Sequence, residues 1–244
     1  MDSTSLCVIL VEPQGPLNIG SVCRTMMNFG FSDLRLVNPC EAYAGAQARQ
    51  MALKADILLD QARVFHTLDE ALSDCNYALG TTRRFGKNRS AFLLPDEAAR
   101  LAASFSKPSR TALVFGREDR GLLTEELDLC QHLLTIPTHD DFASMNLAQS
   151  VAVCLYEMSR TLKSVDDGQI SAITPCGSAE LEGMFAHMRN TFRDIDYSDP
   201  LSPDHILRTF RRIFGRAVLS ERDVRVLQGL WSRIDWIEKE RRKR

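Results

Sequence analysis

LCVILVEPQGPLNIGSVCRTMMNFGFSDLRLV, residues 6–37, is the stretch that decides the fold. Its first six residues, Leu6–Val11, are all apolar, a run of strand length with no polar alternation, as expected for a strand covered on both faces. A Pro/Gly loop follows, and the spacing predicts a helix over residues 19–29, with Asn18 as a natural cap and Gly30 as its stop. Residues 34–37 read as the next strand, ended by Asn38-Pro39. Strand, helix and strand in such quick succession make a βαβ unit, whose two strands run parallel.

The alternation continues outward. A helix is expected over 42–54, a short strand at 64–65, and a helix over 68–74 opened by the Thr67/Glu70 capping box. A strand at 77–80 leads into a basic loop, TTRRFGKNRS, that runs to Ser90. Pro95-Asp96 opens a helix over 97–104, Thr111–Phe115 is an apolar strand, and Thr124 caps a helix over 125–130. A last strand at 133–136 is followed by a loop and a long helix over 145–162. The fold class is therefore α/β, a mainly parallel sheet with helices on both faces. Ligands of such sheets sit at the carboxyl ends of the strands, which points to the loops after Val11, Gly80, Phe115 and Ile136.

Residues 164–177, SVDDGQISAITPCG, break every pattern and read as a linker between a first domain, 1–163, and a helical extension, 178–244. Ser202-Pro203 starts a helix over 204–215. Ile206, Phe210, Ile213 and Phe214 are expected on one of its faces, and Arg208, Arg211, Arg212 and Arg216 as a stripe on another. Ser220 caps a final helix whose Val224, Leu227, Trp231 and Ile234 suit packing against a neighbouring helix. Trp231 and Trp236 read as packing residues rather than base-stacking ones.

Length and composition, 244 residues with 44% hydrophobic and 25% charged, are those of a globular chain. No apolar run reaches the ~18–20 residues of a membrane span. The opening residues carry Asp2 and no basic cluster, so neither a secretory leader nor a membrane is expected, and the placement expected is cytoplasmic. Net charge is −2, but residues 205–244 hold twelve Lys and Arg against five acidic residues, +7, which leaves −9 for the rest. That asymmetry points to a basic binding surface on the extension. The seven cysteines lie no closer than 16 positions apart and read as reduced, mostly buried thiols. His66, His132, His139, His187 and His205 lack ligand spacing, and no metal is expected.

Familiar nucleotide signatures fail. Gly80 to Asn88 imitates a phosphate loop, but has five intervening residues instead of four and Asn where Ser or Thr must hold Mg²⁺. No GxGxxG follows a strand. Three other segments stand out: Asn18-Ile-Gly20-Ser21-Val-Cys-Arg24, Phe115-Gly116-Arg-Glu118-Asp-Arg-Gly121-Leu122, and Ser144-Met145-Asn146-Leu147. Gly20 and Ser21 leave room for another backbone or a phosphate near a helix N-terminus. Arg24, amid Val22, Cys23 and Met26, calls for a partner to offset burial. Ser144 is a plausible N-cap of the long helix.

Taken in order, N-x-G-x-x-x-R, F-G-x-E-x-x-G-L and S-x-N-L resemble the motifs of the SPOUT superfamily, in its TrmH-like group of RNA ribose 2′-O-methyltransferases. Gly80–Thr82 and ILRTFRRIFGRAVLSERDVRVLQGL look like the TrmJ branch of that group, so the resemblance covers nearly the whole chain. Met145 departs from the usual leucine, and His139, Asp140 and Asp141 make the adjoining loop its own variant.

The resemblance implies a C-terminal trefoil knot in the α/β domain, a homodimer, and transfer of a methyl group from S-adenosylmethionine to a tRNA ribose, at cytidine or uridine 32 of the anticodon loop. The alternatives are the same reaction on ribosomal RNA or at another tRNA position, or an RNA-binding protein without activity. It implies cofactor contacts at Thr81, Thr82, Arg83, Gly116, Glu118, Gly121, Ile136, Ala143, Ser144, Met145 and Asn146. Asn18, Arg24, Glu118, Ser144 and Asn146 match the catalytic set, with Arg24 facing the partner subunit's pocket. A guanidinium is a poor base at neutral pH, so Arg24 is read as a clamp on the adjacent phosphate that polarises the 2′-OH. Arg24, Arg83, Arg84, Lys87, Arg89, Arg208, Arg211, Arg212 and Arg216 are the candidates for the RNA backbone.

Overall fold

A computed structural model describes residues 5–83, 92–106, 108–164, 174–197 and 203–243. Seven strands form one sheet: β1 (Leu6–Val11), β2 (Asp33–Val37), β3 (Arg63–Phe65), β4 (Tyr77–Thr81), β5 (Phe92–Leu93), β6 (Thr111–Phe115) and β7 (His132–Leu134). Their spatial order is β3-β2-β1-β6-β4-β7-β5, and every pairing is parallel.

Strand β1 lies near the middle with all six residues buried. Leu6, Val8 and Leu10 point into one core and Cys7, Ile9 and Val11 into another, the period-2 consequence of a strand covered on both faces. The first core is roofed by α1 (Pro16–Phe29), α2 (Ala46–Ala52), α3 (Ile57–Gln61), α5 (Pro95–Ala103) and α7 (Leu147–Ser164), the second by α4 (Leu68–Leu72) and α6 (Thr124–Asp128). A third core joins α8 (Ser178–Asp194), α9 (Pro203–Ala217) and α10 (Glu221–Arg241) around Met184, Met188, Phe192, Leu207 and Trp231.

Several expected details change. Helix α1 begins at Pro16 behind Gly15, because proline at the first position fixes the helical φ and needs no N–H partner; Asn18 therefore lies inside the first turn and caps nothing. Helix α7 starts at Leu147, and its cap is Asn146, whose Oδ1 accepts from Ala148 N at 2.9 Å; Ser144 is not the cap. The space at Gly20 is taken by helix α2, since a β-carbon there would lie 2.1 Å from Ala48 O. Strand β7 sits at 132–134, so Thr135 and Ile136 belong to the loop beyond it, and β5 is additional. On α9, Ile213 is 44% exposed and Leu207 takes the buried place expected of it. Trp231 is buried as expected, whereas Trp236 is half exposed beneath the Arg233 guanidinium, 4.1 Å from its ring.

The extension docks onto the sheet domain. Arg208 Nε reaches Asp128 Oδ2 at 2.8 Å. Arg211 Nη1 donates to Asp128 O at 3.5 Å, while within the extension Arg211 pairs with Glu182 and lies 4.2 Å over the Phe185 ring, both on α8. Gly215 lets α9 touch the chain just before β7: a β-carbon would lie 2.4 Å from Gln131 O. No helix among the described residues is long and apolar enough to cross a membrane.

Candidate active site

Three loops meet at the carboxyl ends of β4, β6 and β7. They enclose a cavity of about 340 Å³, within the ~300–1,000 Å³ usual for a small-molecule site. Strand β4 delivers Thr81, Thr82 and Arg83; β6 delivers Gly116, Glu118 and Gly121; the loop after β7 delivers Ile136, Ala143, Ser144 and Met145. These are the expected cofactor-contact residues except Asn146, which does not line the cavity. Leu122 and Leu147, the last residues of their motifs, add apolar lining together with Leu134, which lies outside the motifs.

The β6 loop is tightly folded. Gly121 N donates to Arg117 O at 2.8 Å, and Gly121 has φ +67°, a conformation glycine adopts freely. A β-carbon on Gly116 would lie 2.2 Å from Gly121 C and Leu122 N, so no other residue fits that turn. The β7 loop is closed by Thr138 Oγ1 donating to Ala143 O at 3.2 Å. Its tip residues His139, Asp140 and Asp141 are exposed, and His139 Nδ1 accepts from Asp141 N at 3.3 Å.

Glu118 lines the cavity and also engages the first motif. Its carboxylate accepts from Gln14 N at 2.9 Å, Gly15 N at 3.0 Å and Asn18 Nδ2 at 2.9 Å. Burial acts to raise its pKa, but the three hydrogen bonds prevail and hold it below the ordinary carboxylate value. Asn18 Oδ1 in turn accepts from Asn146 Nδ2 at 2.9 Å. The three motifs are thus joined by a line of polar contacts, Glu118 to Asn18 to Asn146, behind the cavity.

Arg24 lies outside that line. It is exposed on α1, does not line the cavity of its own chain, and forms no ion pair with a described residue. The burial argument made for it from its apolar neighbours therefore does not hold, because the α1 face that carries it points to solvent. Arg84, Lys87 and Arg89 lie outside the described residues. Arg212 and Arg216 are exposed on α9, while Arg208 and Arg211 make the docking contacts above. Sequence reading missed Arg117, buried under the β6 loop, since it occupies a variable position of the motif. No metal-binding cluster occurs among the described residues.

The SpoU rRNA Methylase family model matches residues 5–156, which hold all seven strands of the sheet. The chain belongs to that family. Its SpoU methylase domain is followed by a match, over residues 179–244, to the C-terminal domain of the tRNA methyltransferase TrmJ. Among relatives, the tRNA (cytidine/uridine/adenosine-2′-O-)-methyltransferase TrmJ of Pseudomonas aeruginosa is 36% identical over 234 residues, 91% of each chain. The tRNA (cytidine-2′-O-)-methyltransferase TrmJ of Methanocaldococcus jannaschii is 34% identical, covering 89% of this chain and 94% of its own. The crystal structure of TrmJ from Z. mobilis ZM4 superposes with a TM-score of 0.81 at 34% identity, over 94% of this chain and 98% of that one. In this SpoU methylase the three motif segments meet at the cavity and the polar line behind it.

Proposed function

We propose that the chain is an S-adenosylmethionine-dependent tRNA ribose 2′-O-methyltransferase that acts on cytidine or uridine 32 of the anticodon loop, as a cytoplasmic homodimer. The observation that carries this reading is the convergence of the β4, β6 and β7 loops on one cavity, in a chain whose relatives over most of its length are tRNA 2′-O-methyltransferases.

The residues present suit the cofactor. Gly116, having no side chain, presents backbone to the cavity, and Leu134, Ile136, Met145 and Leu147 offer apolar surface. Backbone around Thr81, Thr82, Gly116, Ile136, Ser144 and Met145 would hold S-adenosylmethionine, which supplies the methyl group. The wall built from these loops is the part of the chain to which the implied trefoil knot belongs.

What remains for the protein is to align a ribose 2′-OH and assist loss of its proton. Arg24 takes that role as a clamp on the neighbouring phosphate, polarising the hydroxyl while a phosphate oxygen or water accepts the proton. Its exposed position away from its own cavity supports a dimer in which it serves the partner subunit. Arg83, Arg84, Lys87, Arg89, Arg212 and Arg216 are assigned to the RNA backbone, with Arg208 and Arg211 supporting them by holding α9 in place. The sheet domain, 1–163, and the extension, 178–244, act as catalytic and tRNA-gripping parts joined by 164–177.

Mass spectrometry of tRNA fragments from a strain lacking the gene tests the substrate. Loss of the 2′-O-methyl group at nucleotide 32 is expected, and an unchanged ribose there refutes the assignment. Calorimetry with S-adenosylmethionine tests the class, since absence of binding leaves only a non-enzymatic role.

A further inference from the structure

Arg117 is one of the few buried charges in the sheet domain, with only 3% of its side chain exposed. Its guanidinium is fully engaged as a fork. Nε donates to Glu12 Oε2 at 2.6 Å, while Nη1 and Nη2 donate to the two oxygens of Glu126 at 3.0 and 2.9 Å. Hydrogen bonds from Arg117 hold Glu12 below the ordinary carboxylate pKa, and those to Glu12 and then Glu126 raise the already high pKa of the arginine. Glu12 and Arg117 are therefore both charged at neutral pH.

The two carboxylates belong to different segments. Glu126 lies in the first turn of α6, where its Oε2 also accepts from Leu123 N at 2.6 Å, so this half of the fork fastens the β6 loop to its own helix. Glu12 belongs to the exit of β1. Its φ of +46° is one that side chains other than glycine adopt at a cost, and its N–H donates to Val37 O at 2.7 Å. Two and three residues further on, Gln14 and Gly15 donate to Glu118. Adjacent residues of one loop, Arg117 and Glu118, thus grip residues 12–18 at two separate points.

We propose that Arg117 and Glu12 form a positioning pair that sets helix α1, with Asn18 and Arg24, at a fixed placement against the loop that lines the cofactor cavity. This rests on the methyltransferase reading above. Arg117 stands in the cavity wall, but its guanidinium is taken up by Glu12 and Glu126, so the pair acts by placement. Glu12 does not line the cavity, whereas its loop leads directly into α1. Loss of the Glu12 half should displace the substrate-side residues and leave the cofactor site intact, with Arg117 still neutralised by Glu126. Misplacement of a reacting group by about 1 Å can lower a rate by ~10²-fold.

The test uses Glu12→Met, which keeps the length of the side chain and the same backbone demand but offers no acceptor, and Glu12→Gln, which restores a neutral acceptor. Turnover at saturating concentrations is measured on a tRNA transcript with C at position 32, beside the calorimetric Kd for S-adenosylmethionine and the Tm. The expected result is a turnover at least tenfold lower for Glu12→Met, partly recovered by Glu12→Gln, with cofactor Kd within twofold of wild type. Turnover within twofold of wild type for Glu12→Met overturns the pair. Turnover, cofactor affinity and Tm falling together also overturn it, since that pattern belongs to a general loss of structure. If the wild-type protein binds cofactor and methylates, such failures count against the pair alone. A wild-type protein that binds no cofactor removes the underlying reading and the pair with it.

Discussion

Asn146 Nδ2 donates to Asn18 Oδ1 across 2.9 Å, joining residues 128 positions apart in the chain. The same Asn146 caps α7 through its other atom, Oδ1, which accepts from Ala148 N and Gln149 N. Asn18 likewise uses both ends of its amide, since its Nδ2 donates to Glu118. Turning over the Asn18 amide breaks two contacts and turning over that of Asn146 breaks three, so the orientation of each fixes that of the other.

Asn146→Asp separates capping from this linkage. Asp caps a helix N-terminus as well as Asn, so stability should stay within about 0.5 kcal/mol of wild type. The new carboxylate cannot donate to Asn18 Oδ1, and methyl transfer should fall roughly tenfold, in line with the sensitivity of rates to placement. Calorimetric unfolding and a turnover assay check both parts; normal turnover would show the link to be dispensable. Asn146→Ala should lose ~1 kcal/mol in addition.

Arg24→Lys tests the clamp. Lysine keeps the charge but not the planar fork, so tRNA binding should persist while turnover falls by about two orders of magnitude, the scale of a lost positioned contact in a transition state. Near wild-type turnover would mean that no bidentate phosphate contact is needed.

Much of this architecture could be read from residues alone, and the exceptions share a cause. Strand β1 was legible to the residue because burial on both faces leaves no room for a polar side chain between Leu6 and Val11. The cavity loops were legible because a parallel sheet presents its carboxyl ends to ligand. The misread positions are those where two local signals compete. Asn18 and Ser144 are both good caps, yet Pro16 starts α1 earlier and Asn146 outcompetes Ser144 from two positions further on. Arg117 was invisible because its significance lies in Glu12, 105 positions away, and no spacing rule reaches that far.

A pH-dependent stability is expected from His132, half-buried where Tyr77 meets its ring. Burial and then the nearby Arg216 charge lower its pKa from 6.5, so the fold favours the neutral ring. Its contribution is complete above 6.5 and is lost as pH falls from there through the lower folded value. Tm should decline in that window for wild type, and the decline should be smaller for His132→Gln. A second fall, below 4.5, should occur in both proteins, because the depressed pKa of Glu118 supports the fold only while that carboxylate is charged. Identical slopes between pH 5 and 6.5 would refute the role of His132.

Gly215→Ala should loosen the extension from the sheet domain. Alanine gains about 1 kcal/mol in a helix over glycine, but the 2.4 Å approach to Gln131 O forces α9 outward, and overpacking of this kind costs ~1–3 kcal/mol. A net loss of about 1 kcal/mol in the extension is expected, with weaker tRNA binding and unchanged affinity for S-adenosylmethionine. Filter binding and calorimetry would decide this, and equal tRNA affinity would dissociate docking from RNA grip.

The strand order also sets a timetable for synthesis. β1 pairs on one side with β2, complete at Val37, and on the other with β6, which begins only at Thr111. At ~5–20 residues per second, the ribosome leaves roughly 4–15 s during which one edge of β1 has no partner from its own chain. An all-apolar edge waiting that long is a hazard for association with other nascent chains. Synonymous codons that slow translation between residues 38 and 110 should therefore lower the soluble yield of a protein whose finished fold is unchanged.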